Sequence, residues 1–232
     1  MIKENLAIVE DNIRKACEKA GRERSEVTLI AVSKTKPVSD IRQAMECGIT
    51  VFGENKVQEI RDKTAEIKEP LSWHMIGHLQ VNKVKYLPGV VCMIHSVDNL
   101  KLAQEIEKQS AKHDLVMDVL IEVNMAHEDT KFGLSPQEVI PFVKEISSYE
   151  HLNIRGLMTI APYTEDPESN REYFKGLKGL KDEINALNIP RVKMDTLSMG
   201  MTGDYQVAIE EGATFVRVGT GIFGERDYAN IK

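Results

Sequence analysis

Eight short apolar runs recur along this chain, at residues 28–33, 50–53, 72–77, 90–96, 117–124, 153–160, 196–200 and 215–220. Each has the length of a strand covered on both faces. Between them stand segments with helical spacing, at 38–47, 55–68, 81–87, 98–113, 135–147, 168–187 and 204–211, with Ser39, Asp98 and Ser135 as expected N-caps. Steady alternation of strand and helix requires parallel strands joined by crossovers, and eight such units in 232 residues predict an α/β fold, a (β/α)8 TIM barrel. A doubly wound open sheet is the other arrangement that the alternation permits. An amphipathic helix precedes the first unit, because Leu6, Val9, Ile13, Ala16 and Ala20 form one stripe over residues 3–20 and Gly21 ends it. No Pro/Gly/Ser-rich linker or low-complexity run divides the chain, so residues 1–232 are read as a single domain with an extra N-terminal helix.

Composition narrows the partners. A net charge of −6, with 28% charged and 42% hydrophobic residues, offers no cationic excess for a polyanion, and no nucleic-acid partner is expected. Cys17, Cys47 and Cys92 are odd in number and far apart, which fits reduced thiols better than disulfides or a metal site. The opening residues contain no signal-peptide core, and no apolar run approaches the roughly 18 residues of a membrane helix. A cytoplasmic protein without membrane attachment is expected.

In a barrel of this kind the chemistry sits at the C-terminal ends of the strands. Those ends read Ser33-Lys34, Gly53-Glu54-Asn55, Gly77-His78, His95-Ser96, Asn124, Met158-Thr159-Ile160, Ser198-Met199-Gly200 and Arg217 with Gly219-Thr220. Strand alternation carries Lys34 to the same side as Val32, toward the barrel mouth. Lys34 is then either a surface lysine of a βα loop or a partly desolvated amine able to form an imine with a carbonyl. The carbonyl would come from the substrate in an aldolase, or from pyridoxal phosphate (PLP). The loops at 197–204 and 217–224 are rich in glycine and carry hydroxyls at Ser198, Thr202 and Thr220. They occupy the two positions at which barrels of this class hold phosphate. Arg217, in the apolar TFVRVGT, is either a buried ion-pair partner or a permanent cation set against a pyridine nitrogen, which it would keep unprotonated.

Seven segments in order, AVSKTKP (31–37), FGENKVQE (52–59), WHMIGHLQVNK (73–83), HSVD (95–98), RGLMTIAP (155–162), LSMGMTGDYQVAI (197–209) and VRVGTGIFGERDY (216–228), strongly resemble the pyridoxal phosphate homeostasis protein family. Members are cytosolic single-domain proteins similar to the barrel domain of alanine racemase. The resemblance implies pyridoxal 5'-phosphate as cofactor, held as an internal aldimine on Lys34, with Lys36 a second lysine outside that bond. It implies phosphate contacts from Ser198, Met199, Gly200, Gly219 and Thr220, Arg217 at the pyridine nitrogen, and Asn55 and Met158 lining the ring. His78 of GHLQ is either a loop histidine or a cofactor neighbour. Three positions depart from the family's pattern: Thr202 replaces a serine, Lys56 a frequent tyrosine and Val81 a common serine. Alanine racemase adds a C-terminal β domain and a tyrosine on the opposite face of the cofactor. Because this sequence stops at Lys232, neither is expected here. The implied function is PLP homeostasis, in which the protein buffers the cofactor or delivers it to PLP-dependent apoenzymes without efficient turnover, as a monomer or weak dimer. A PLP-dependent amino-acid racemase of the same fold is the alternative.

Overall fold

Strands whose two faces are both apolar must be covered twice, and a closed parallel barrel does so with one core inside and another outside. The computed structural model describes residues 1–128 and 130–225, so the last three residues of the 216–228 motif lie outside the described residues. All eight expected strands form: β1 (Thr28–Val32), β2 (Val51–Glu54), β3 (Ser72–Met75), β4 (Met93–Val97), β5 (Met117–Glu122), β6 (Leu152–Met158), β7 (Thr196–Met201) and β8 (Phe215–Val218). Each pairs in parallel with the next, and β8 returns to β1 with Thr28 opposite Phe215 and Ile30 opposite Arg217. Closure excludes the open sheet.

The helices are α1 (Ile2–Lys19), α2 (Val38–Glu46), α3 (Val57–Glu66), α4 (Leu100–Lys112), α5 (Pro136–Ile146), α6 (Arg171–Ala186), α7 (Tyr205–Glu210) and α8 (Thr220–Phe223). Two expected helices are modified. Residues Val81–Tyr86 wind as a 3-10 helix, and Pro167–Asn170 form a 3-10 turn before α6. Of the expected caps, Ser135 holds, in a reciprocal capping box with Glu138. Asp98 gives way to Asn99, whose side chain accepts from the Leu102 N–H, and Ser39 lies inside α2, which starts directly after Pro37. α8 was not expected. The final apolar run leaves the extended conformation at Gly219 (φ −110°, ψ −80°), and one short helix follows.

Alternate strand residues separate two cores. The outer one lies between barrel and helices and takes in Phe52, Trp73, Ile94, Val119, Leu157, Leu197 and Val216, together with Leu6, Val9, Ile13 and Ala16 from the expected stripe of α1. The inner one is a plug of Met93, Leu120 and Met158 against Phe215. Fully burying one such side chain contributes about 1.5–3 kcal/mol, so the two cores together hold the barrel shut. Glycine at 156 permits the closest strand approach, since a Cβ there would lie 1.8 Å from the Thr196 carbonyl oxygen. β6 and β7 meet because nothing stands between them.

Candidate functional site

Barrel closure puts the turn after β1 beside the loops after β8 and β7, more than 160 residues away in sequence. Side chains then tie these loops together. The Lys36 ammonium donates to the carbonyls of Phe223 (3.0 Å), Gly224 (3.3 Å) and Glu225 (3.0 Å), at the C-terminal end of α8. The Thr202 hydroxyl oxygen, from the β7 loop, accepts from the N–H groups of Gly219 and Gly221 in the β8 loop, each at 3.3 Å. Lys34 is half-buried within this cluster, and the next residue, Thr35, has φ 63°.

Two backbone N–H groups that converge on one oxygen suit an anion. Glycine keeps the approach open: among the described residues, a Cβ at Gly219 would lie nearest Val32, at 3.5 Å, and one at Gly203 would meet nothing within 4 Å. Gly200 has φ 90° and lies so close to α7 that a Cβ would sit 2.6 Å from that of Ala208. Met199 turns its side chain into the outer core, so it offers the loop its backbone alone. Thr220 is exposed at the start of α8.

Below the mouth, the inward-facing residues of β3, β4, β7 and β8 form a polar chain. Arg217 donates through Nη1 to Ser198 Oγ (2.5 Å) and through Nη2 to the Thr159 carbonyl (2.8 Å). Ser198 Oγ lies 2.9 Å from His95 Nδ1, and His95 Nε2 lies 2.8 Å from His74 Nδ1. An arginine can only donate, so Ser198 Oγ accepts from Arg217 and keeps its own proton free to donate to His95 Nδ1, the arrangement in which His95 carries its proton on Nε2 toward His74. Burial holds both imidazoles neutral, His74 lowered to about 4 and His95 well below the usual histidine value, the latter also through His74 and Arg217. Arg217 is itself lowered by burial, to about 10, with Glu122 and Asp204 opposing, and stays a cation at neutral pH. Glu122 on β5 is buried, and its Oε2 has no hydrogen-bond partner among the described residues. Desolvation and the Asp98 charge push it up to about 7 against the pull of Arg217.

Of the residues singled out in the sequence, Lys34, Ser198, Met199, Gly200, Arg217, Gly219 and Thr220 gather around the β1, β7 and β8 ends. Ser198 is fully buried, and its hydroxyl engages Arg217 and His95 rather than opening to the loop. Met158 is part of the inner plug. Asn55 and His78 line a groove of about 370 Å3 with Lys56, Arg61, Lys83 and Tyr86, where the exposed His78 ring stacks on Phe132 at 3.7 Å. A more voluminous groove, about 830 Å3, runs along α1 and the N-terminal starts of β1 and β2, at the barrel end opposite the converging loops. The sequence reading missed His74, Glu122 and Lys63. Strand alternation carried a signal for the first two, since a polar residue two places from an inward apolar one, as in His74/Ile76 and Leu120/Glu122, faces the barrel interior.

Comparison with known proteins agrees with the fold. A family model described as alanine racemase, N-terminal domain, matches residues 5–227. A pyridoxal phosphate homeostasis protein of Aquifex aeolicus is 48% identical over 226 residues, covering 97% of this chain and 98% of that one. The protein of the same name in Escherichia coli K12 is 39% identical over 236 residues, covering 98% of each. The structure of PipY from Synechococcus elongatus PCC7942 with PLP bound superposes with a TM-score of 0.83 at 32% identity, covering 97% of this chain and 100% of that one. An alanine racemase from Clostridium difficile 630 shares the fold at a TM-score of 0.75 and 13% identity, with this chain covering 58% of it. By the extent of these matches, the chain belongs to the alanine racemase N-terminal domain family and, within it, to the pyridoxal phosphate homeostasis proteins.

Proposed function

We propose that this protein binds PLP covalently through Lys34 and buffers it, or delivers it to PLP-dependent apoenzymes, without efficient turnover. The observation that carries the reading is the convergence of the Lys34 turn with the glycine-rich β7 and β8 loops at one barrel mouth. Attachment joins Lys34 Nζ to the aldehyde carbon and releases the aldehyde oxygen as water, which requires a neutral amine close to a held aldehyde. Once bound, PLP supplies a conjugated electron-withdrawing ring. The backbone groups of Met199, Gly200 and Gly219 with the Thr220 hydroxyl are the proposed phosphate contacts. Asn55 and Met158 are the proposed ring neighbours, and Arg217 the proposed partner of the pyridine nitrogen. The buried Ser198 hydroxyl contributes by holding Arg217.

Carriage rather than turnover is supported by the homeostasis names of the relatives; an arginine in place of a carboxylate also weakens the electron sink, although racemases of this fold tolerate it. The test is incubation of the PLP-loaded protein with L-alanine in deuterated water, followed by chiral analysis. The expected result is D-alanine formation and deuterium uptake at the α-carbon no faster than with free PLP. Rapid D-alanine formation that disappears in Lys34→Ala would make the protein a racemase.

A further inference from the structure

Lys34 is enclosed by two peptide groups, and α3 holds both of them. The Ser33 carbonyl, on the preceding side, accepts from Lys63 Nζ at 2.8 Å. The Thr35 N–H, on the following side, donates to Glu59 Oε2 at 2.7 Å. Lys63 and Glu59, one helical turn apart, are joined at 2.9 Å. Lys63 also donates to Glu54 Oε1 at 2.7 Å, and the same oxygen accepts from the Ser33 hydroxyl at 2.5 Å.

This network is costly to build. Lys63 is 6% exposed and Glu54 0%, and burying such charges away from water is unfavourable unless every one is paired. Burial pushes Glu54 up to about 7 despite Lys63 and Ser33. Burial also acts upward on Glu59, but bonds from Lys63 and the Thr35 N–H overcome it and keep that carboxyl below its usual range. The Lys63–Glu59 pair supplies the two bonds that reach the backbone beside Lys34. Packing alone does not ask for a cation here, since an apolar side chain of equal length would fill the same space. The turn itself needs support, because Thr35 is β-branched with φ 63°, a conformation that persists only where surrounding contacts impose it.

We infer that Lys63 and Glu59, braced by Glu54, are a clamp that positions Lys34 for attachment to an aldehyde by fixing the peptide groups on both sides of it. The inference rests on the reading of Lys34 given under Proposed function. Lys63 and Glu59 are positioning residues: they touch the backbone that carries the amine and act through it.

The experiment uses the cofactor-free full chain and two ligands. PLP reports covalent attachment, followed by stopped-flow absorbance and by borohydride trapping on Lys34. Pyridoxine 5'-phosphate, which has no aldehyde, reports the ring and phosphate contacts alone. Glu59→Ala and Lys63→Met are expected to slow attachment by about tenfold to a hundredfold, the cost of a small misplacement of a reacting group, while pyridoxine phosphate binds within about twofold of the unaltered protein. Glu59→Gln keeps an oxygen for the Thr35 N–H and is expected to attach PLP at close to the original rate. Glu59 lies at the partly exposed edge of the network, so Glu59→Ala carries the test if Lys63→Met does not fold. An unchanged rate in Glu59→Ala overturns the clamp, as does slowing matched by an equal loss of pyridoxine phosphate binding. Failure of the unaltered protein to trap PLP on Lys34 overturns instead the functional reading beneath it.

Discussion

Lys34 and Lys36 stand two positions apart and serve different ends. Lys36 spends its three donors on the carbonyls of Phe223, Gly224 and Glu225, so it acts as a strut between the β1 turn and the end of α8. Replacing it by alanine leaves those carbonyls to water, and a net loss of about 1–2 kcal/mol is expected in denaturant unfolding. A stability unchanged within error would mean that water replaces the strut without cost. Glu122 permits a test of sign. Its carboxyl is raised by burial from 4.5 to about 7, so the folded protein holds a proton that the unfolded chain releases. That contribution is fully present below about pH 4.5 and is lost as pH rises through about 7. Glu122→Gln cannot titrate, and its stability relative to the unaltered protein is expected to improve between pH 5 and pH 8 by on the order of 2–3 kcal/mol. An equal difference at both pH values would place the Glu122 carboxyl at its ordinary value.

At the scale of elements, the strands were legible because each is an apolar run of the right length, and the helices because their stripes repeat at three and four residues. Edges were less so. The run at 90–96 pairs only from Met93, and Gly219 stops β8 two residues early, since a backbone turn outweighs the apolar pattern there. Lys63 could not be found this way. In EIRDKTAE it reads as one more charge on a solvated helix face, and only its packing against Ser33 and Glu54 reveals that it is buried. Reading strands as apolar runs also passed over His74, because an inward polar position interrupts no run. Close contacts within the sheet give a further expectation. Gly156→Ala drives a methyl against the Thr196 backbone, which cannot yield without parting β6 from β7, and a loss on the order of 3 kcal/mol or more is expected in thermal or denaturant unfolding. Gly53→Ala presses first on Ile30 Cγ2 and Ile76 Cδ1, each at 2.8 Å, side-chain atoms that can shift, so it should cost markedly less. The reverse order would mean that the interior around Ile30 and Ile76 is tighter than the β6–β7 seam.

For the molecule as a whole, function depends on closure. Lys34 leads out of the first strand, while the two loops that face it follow the last two, and only the β8–β1 pairing brings them together. The sequence made the parts of this site legible, lysine, glycine-rich turns and buried arginine, because each follows a strand end in a fold whose strand ends meet. The struts between loops, Lys36 and Thr202, were not legible in the same way, since nothing local to either residue names its partner. Covalent attachment at Lys34 is the central proposal. Loading the protein with PLP, reducing it with borohydride and mapping the modified peptide by mass spectrometry is expected to place the label on Lys34, with none recovered from Lys34→Ala. A label on Lys36 or Lys63, or an equal yield from Lys34→Ala, would contradict the account.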